Sequence, residues 1–491
     1  MAYLGNKNQH IIPINFSPTG GLNLALPPHA IKENEMQLAN NMLYMPHSGQ
    51  LVVRPGFSCL TLTPAPDAIL NMQPFQDNIA CSVGDGKVYI YEFAADKFTE
   101  IHVLGASTVA SFIVFNDKLL IVDGAGLYSW DGSTISPLNE TLHPTAIIEI
   151  SNRVVINDAL DPDAVYFSAP EDETDWDTTG AAVGLRAGYG DGMDVNGFAA
   201  LGTDLIVSKA GNGNRFIYRV NTSSSDPKGW SVHKLITDTS GRGELMIESV
   251  PNGVLYINED NELRSLSGVQ EYGDIRMANI GEKINPLLVS AAKSGRPASM
   301  VRYVPSYDIM MIIFSGAVAF YHHASQRFTS MTFDRGNIRS VCDHNNHPLF
   351  GSATGNIYSW DEDSALDEYE ADKTELFEAD IKSKTYPFPV ESLVKRESIS
   401  LSNFVEGSGV VKINHKTVLR FDLLGDPWYV YEADDTQLAD ANMLLYERSE
   451  ADSTIKKRNR CRQKDFYIHV KTDSGRYGIN YVDLTVAMVQ G

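Results

Sequence analysis

The chain has no long apolar run. No window holds 18 consecutive apolar residues, and the longest apolar clusters, such as Ile309–Phe314, have the length of a strand rather than of a membrane span. Its four cysteines, Cys59, Cys81, Cys342 and Cys461, stand singly with no CxxC spacing. That argues against a disulfide framework and a structural zinc site, and leaves them as small core residues. Cations are scarce: 40 Lys and Arg face 62 Asp and Glu, for a net charge of −22. An acidic surface repels phosphates and releases no counterions, so non-specific nucleic-acid binding is not expected. Met1-Ala2-Tyr3-Leu4-Gly5-Asn6-Lys7 lacks a charged region followed by an apolar one, so no secretory leader is read there, and synthesis in a cytoplasm is expected. The chain also lacks a Walker loop, HExxH, GxSxG and the Ser-Asp-x-Gly-x-Thr-Trp box of sialidase propellers. The expectation is a protein that is not an enzyme and needs no cofactor or metal.

What is present is a repeat. Gly126-Leu127-Tyr128-Ser129-Trp130-Asp131-Gly132 returns 230 residues later as Gly355-Asn356-Ile357-Tyr358-Ser359-Trp360-Asp361-Glu362. Each phrase follows an apolar run and a turn, the pattern of a β-hairpin. Similar hairpins surround Tyr89, Tyr166, Tyr218, Leu255 and Ile312, seven in all, and Tyr89 to Tyr358 spans 269 residues over six intervals. About 45 residues per unit is the period of a four-stranded propeller blade, which must stack on its neighbours because one small sheet cannot bury either face alone. The expected fold is all-β: a β-propeller of five to seven blades over residues 63–368, an N-terminal segment 1–62, and a C-terminal β-sandwich-like domain 369–491.

The N-terminal segment is punctuated by Gly20-Gly21-Leu22-Asn23, then Asn41, then Arg54-Pro55-Gly56. In that order these residues resemble the N-terminus of the tail hub or nozzle proteins of short-tailed phages, also called tail tubular or packaged-DNA stabilisation proteins. In that pattern residues 31–43 form a helix. The phrase from Tyr166 to Trp176, a Phe-Ser strand end followed by an acidic loop and Trp, is similar to a second phrase of the same family. Resemblance extends loosely to the C-terminus. It implies a structural virion protein, a homo-hexameric ring bound to a portal adaptor above and to a fibre, spike or needle below or beside. Duplex DNA would pass through the ring's channel without specific binding. A propeller glycosidase or glycan-binding protein is the alternative from another class, and a Kelch-like scaffold a third.

Three further features invite a functional reading. The acidic loop Asp172-Glu173-Thr174-Asp175 lacks the Gly that calcium loops place among their ligands. Residues 361–380 hold ten acidic residues against Lys373, the pattern of a solvated connector at a domain boundary. Lys456, Lys457, Arg458, Arg460, Arg462 and Lys464 put six cations in nine residues. Such a strand could touch DNA phosphates, dock on an acidic neighbour or protect an exposed sheet edge. On so acidic a chain it is assigned to partner binding. His322 and His323, adjacent in a strand, would point to opposite faces and not share an ion; His344 and His347 fall in a turn and read as exposed polar residues.

Overall fold

The computed structural model describes residues 11–488 except 47, 212, 225, 269–274, 315, 334, 365, 404–407, 414–415, 423–428, 432–444, 449–451 and 475–476. For residues 11, 388–403, 408–409, 416–422, 429–431, 445–448, 452–466, 472–474, 477, 480 and 485–488 it describes the backbone alone. Seven antiparallel four-stranded blades follow one another as a propeller; six are sheets of their own, and the sixth in order continues through Met36–Asn40 into a ten-stranded sheet. The first blade is Ile69–Phe75, Asn78–Val83, Lys87–Glu92 and Lys97–Val103; the second runs from Ser111–Phe115 to Ile135–Asn139 and the third from Ile147–Ile150 to Val183–Arg186. The fourth runs from Asp194–Leu201 to Ser231–Ile236, the fifth from Ile247–Val250 to Ile275–Ala278, and the sixth from Ala298–Val304 to Arg327–Met331. In the seventh, Ile338–His344, His347–Ser352 and Ile357–Asp361 take Gly56–Cys59, from early in the chain, as fourth strand. Tyr89, Tyr128, Tyr166, Tyr218 and Tyr358 all lie in third strands, as their spacing requires.

Local chemistry explains the hairpins. Asn116-Asp117, Ser151-Asn152 and Asn345-Asn346 join first to second strands with both residues at φ between 48° and 63°. A tight turn that matches strand twist needs two left-handed residues, which Asn and Asp tolerate best. Second strands such as Ile309–Phe314 are buried on both faces, so they read as continuous apolar runs.

Polar side chains stitch each blade to the next. Asn71 Nδ2 donates to the Ala110 carbonyl at 2.9 Å, Ser111 Oγ to Thr145 at 3.5 Å, Asn157 Nδ2 to Val195 at 3.0 Å and Asn196 Nδ2 to Gly241 at 3.0 Å. Arg242 donates to the Ala298 carbonyl at 3.2 Å, Ser306 Oγ to Asp343 at 3.0 Å, and Ser340 Oγ to the Ile69 carbonyl at 2.8 Å, which closes the ring. Between the third and fourth blades the buried Lys209 ammonium lies 2.7 Å from Asp163 and 2.9 Å from Asp191 and donates to the Ala187 carbonyl at 2.6 Å. Each such bond joins sequence-distant backbone that apolar contact alone would leave free to slide.

The chain divides into two compact units, Cys59–Val318 with Phe333–Ser359, and Met1–Ser58 with Ala319–Thr332 and Trp360–Gly491. In the second unit, Ile11–Phe16, Met42–Tyr44 and Leu51–Val53 enter a seven-stranded sheet with Tyr386–Asn403, Leu445–Arg448, Asp452–Phe466 and Tyr477–Met488. Met36–Asn40 pairs antiparallel with Ala379–Ser383, whose other neighbour is Ile468–Ser474. The helix expected over residues 31–43 is therefore absent. Two strands occupy its second half, parted by Asn41 at φ 58°, because pairing with distant strands overrides local preference.

Candidate functional site

The N-terminal residues that carry the phage-tail resemblance gather in the second unit, in two buried polar clusters. Arg54, wholly buried, forms a two-pronged ion pair with Asp367, at 2.8 and 2.6 Å. Its Nε donates to Asn41 Oδ1 at 3.0 Å, a second bond reaches the Pro55 carbonyl at 2.8 Å, and the guanidinium lies 3.8 Å from the centre of the Phe377 ring. Asn41 passes the connection on, donating to the Glu378 carbonyl at 2.7 Å and accepting from Thr332 N at 3.1 Å. Asp367 belongs to the acidic run read as a solvated connector; that run instead folds into the hairpin Leu366–Glu370 and Lys373–Leu376, with Asp367 buried.

Gly56 must be glycine: a Cβ there would sit 2.1 Å from the Leu366 carbonyl oxygen. We expect Gly56→Ala to destabilise the protein by about 1–3 kcal/mol through overpacking, read as a lower denaturant midpoint. An unchanged midpoint would show that the hairpin yields freely.

The second cluster is built on Gly20-Gly21-Leu22-Asn23. Gly21 has φ 77°, and a Cβ would meet Phe328 N at 2.9 Å. Its N–H donates to Tyr44 Oη, which donates to the Pro18 carbonyl at 2.6 Å. Leu22 is buried and its N–H donates to the Phe328 carbonyl at 2.8 Å; Asn23 Nδ2 donates to the buried Glu35 at 2.8 Å. Both clusters fix backbone.

Trp176 packs against the core of the second and third blades, and its indole N–H donates to the Glu173 carbonyl at 2.9 Å. Glu173 accepts from Lys118 at 2.6 Å and Asn116 at 2.7 Å. Burial raises the Glu173 pKa, but the Lys118 and Asn116 contacts outweigh it and hold the carboxyl below its usual range. Asp172 and Asp175 cap Thr174 and Asp177 within the loop. His322 is buried against Thr329 Oγ1 at 3.0 Å, and burial pushes its pKa down to about 3. His344 stacks on Phe93 at 5.6 Å, and His347 is exposed. Among the described residues no group of three His, Cys, Asp or Glu side chains is placed to hold a metal. Cys81 and Cys342 are buried and Cys59 is half-buried, all free thiols. Lys456, Lys457, Arg458, Arg460, Arg462 and Lys464 fall in Asp452–Phe466, which pairs with Tyr386–Asn403 and, among the described residues, with Leu445–Arg448 at residues 453–456. Their side chains, and that of Cys461, lie outside those described.

The propeller axis holds a feature that sequence reasoning missed. First strands from several blades surround a cavity of about 420 Å³, lined by Asn71, Gln73, Glu149, Glu248 and Arg302 among others. Arg302 crosses it, its guanidinium 3.4 Å from Glu248 and 3.5 Å from Asn71 Oδ1. Arg302 Nε is buried without a protein partner among the described residues. Glu244 reaches the other way, accepting from Ile147 N at 3.3 Å and Phe198 N at 3.1 Å. Burial raises the carboxyl of Glu248 and pushes that of Glu244 up to about 8, against the lowering effect of those two N–H groups. No motif announces these residues; only the ring brings six first strands to one axis.

No family model matches this chain, and no curated protein matches it. Solved structures similar to it include BamB from Moraxella catarrhalis, at 15% identity over 65% of this chain and 93% of that one, with a TM-score of 0.40. The WD40 β-propeller domain of Doa1 is similar at 11% identity over 63% and 98%, TM-score 0.41, and the computationally designed Ika8 protein at 11% over 62% and 99%, TM-score 0.39. The propeller assignment rests on the seven sheets themselves.

Proposed function

We propose that this chain is a structural component of a short phage tail, its hub or nozzle. It acts by assembly, not by catalysis. The observation that carries this reading is the convergence of Gly20, Gly21, Leu22, Asn23, Asn41, Arg54, Pro55 and Gly56 on two buried clusters. The residues that resemble the family are thus those that hold the N-terminal segment in place among the strands of its unit, as a fold-defining signature should. A propeller supplies rigid blades for packing against neighbours; its axial cavity is the size of a small-molecule site. At about 420 Å³ it has no room for a DNA duplex.

In this reading copies surround a channel instead of threading DNA through the propeller. Six copies at −22 each carry −132 formal charges, so a duplex slides past a repulsive wall and retention falls to a mechanical gate. In this reading the cations from Lys456 to Lys464 dock on an acidic neighbour or distal component.

The test is to mix the purified chain with portal–adaptor complexes and image them: six-fold rings below the portal are expected, and free monomers after mixing would sink the reading. Replacing Lys456, Lys457, Arg458 and Arg460 with Glu should abolish ring formation or loss-free attachment of the distal part. Virions that assemble normally but leak DNA would put those cations in the channel instead.

A further inference from the structure

We propose that the axial cavity of the propeller binds a small neutral polyhydroxy ligand, a mono- or disaccharide. At about 420 Å³ the space falls within the range of small-molecule sites, about 300–1,000 Å³. Its wall mixes apolar residues such as Ile113, Val114 and Val301 with Asn71, Gln73, Glu149, Glu248 and Arg302. An apolar ligand would strip water from these polar groups and give nothing back. An anion would meet Glu149 and Glu248 with Arg302 as the single compensating cation in the lining. A divalent cation would face that same guanidinium, and no three-ligand group stands among the described residues.

A sugar fits each constraint. Its hydroxyls donate to carboxylates and accept from amides, and its C–H faces cover aliphatic side chains. Arg302 Nε, a buried donor with no protein partner among the described residues, suits a ring or hydroxyl oxygen. Glu149 is exposed toward the cavity and completes the set of acceptors. The inference goes beyond the tail reading and does not rest on it, because ring formation and sugar binding are measured separately.

The test uses the full chain with free glucose, galactose, mannose and N-acetylglucosamine, observed by saturation-transfer NMR and titrated calorimetrically. At least one sugar should bind with a Kd between about 1 μM and 1 mM. Arg302→Met should weaken that binding at least tenfold. Glu149→Gln, an exposed change that leaves the thermal midpoint alone, should weaken it several-fold. No signal from any of the four sugars, or equal affinity in wild type and Glu149→Gln, would overturn the proposal. A chain that binds sugar yet forms no ring would preserve this inference and remove the tail reading.

Discussion

Replacing Arg54 with Met is expected to cost about 3–5 kcal/mol of stability, the loss found when one partner of a buried ion pair is removed and the other stays behind without its counter-charge. Asp367 is the partner left behind, at 2% exposure, with the Phe57 N–H at 3.2 Å still donating to it. Asn41 Oδ1 loses one of its two donors and keeps Thr332 N, and the Pro55 carbonyl loses its bond. Arg54→Lys should recover little, because an ammonium cannot reach both carboxylate oxygens, Asn41 and a carbonyl from one point while lying flat on Phe377. Replacing the pair together, Arg54→Met with Asp367→Leu, should cost less than Arg54→Met alone, since no charge is then stranded. The measurement is chemical unfolding, with hydrogen exchange across residues 36–57 and 366–380 to place the loss in this unit. An Arg54→Met protein within about 1 kcal/mol of wild type, the usual size of one ordinary hydrogen bond, would show that the cluster is incidental. Under the tail reading, the same variant should also fail to form rings.

The propeller was legible because its central strands repeat their chemistry. Second strands such as Leu119, Leu120, Ile121 and Val122 are buried on both faces, so they survive as apolar runs, and the tyrosines of the third strands keep the period. Outer strands are half exposed: Lys97–Val103 buries chiefly Ile101, and Ile135–Asn139 buries nothing fully. Their sequence carries little to count, so the repeat alone allows five to seven blades, and the structure has seven. The N-terminal segment misled in a different way. Residues 36 to 44 carry good helix formers, yet their partners are hundreds of residues away, as Met36 to Ser383 and Asn40 to Asp380 show. No local pattern encodes such a pairing. Arg54 and Asn41 were singled out by resemblance, but Asp367 was hidden inside a run of ten acidic residues and looked like solvated charge. The axial residues gave no signal, since Asn71, Glu149, the Glu244–Glu248 stretch and Arg302 are far apart and in no motif.

Glu244→Gln is expected to change the pH dependence of stability more than any other single substitution at the axis. Area alone leaves Glu244 half-buried, but it faces a narrow space walled by protein, where little water can stabilise a charge. Its carboxyl therefore holds its proton up to about 8 in the folded protein, against an ordinary value of 4.5. A folded pKa above the unfolded one means that the folded state binds more protons between those limits. The contribution is full below about 4.5, falls as pH rises toward 8, and is gone above it. The full interval corresponds to roughly 5 kcal/mol at about 1.36 kcal/mol per pH unit; water reaching the cavity reduces this to about 2–4 kcal/mol. Carboxyls held low, such as Glu173 and Asp123, act in the opposite direction and lose their contribution only in acid, so the two effects occupy separate windows. Gln cannot ionise, and its NH₂ cannot accept, so the variant gives up one of the two bonds from Ile147 and Phe198 at a cost of about 1 kcal/mol. Stability curves of wild type and Glu244→Gln should therefore cross: the variant is weaker at pH 5 and stronger at pH 9. Parallel curves over that range would mean that Glu244 is already ionised in the folded ring, with the Arg302 charge reaching it more strongly than the distance to Glu248 implies. In that case the cavity carries one more negative charge, and a cationic ligand would suit it better than a neutral sugar.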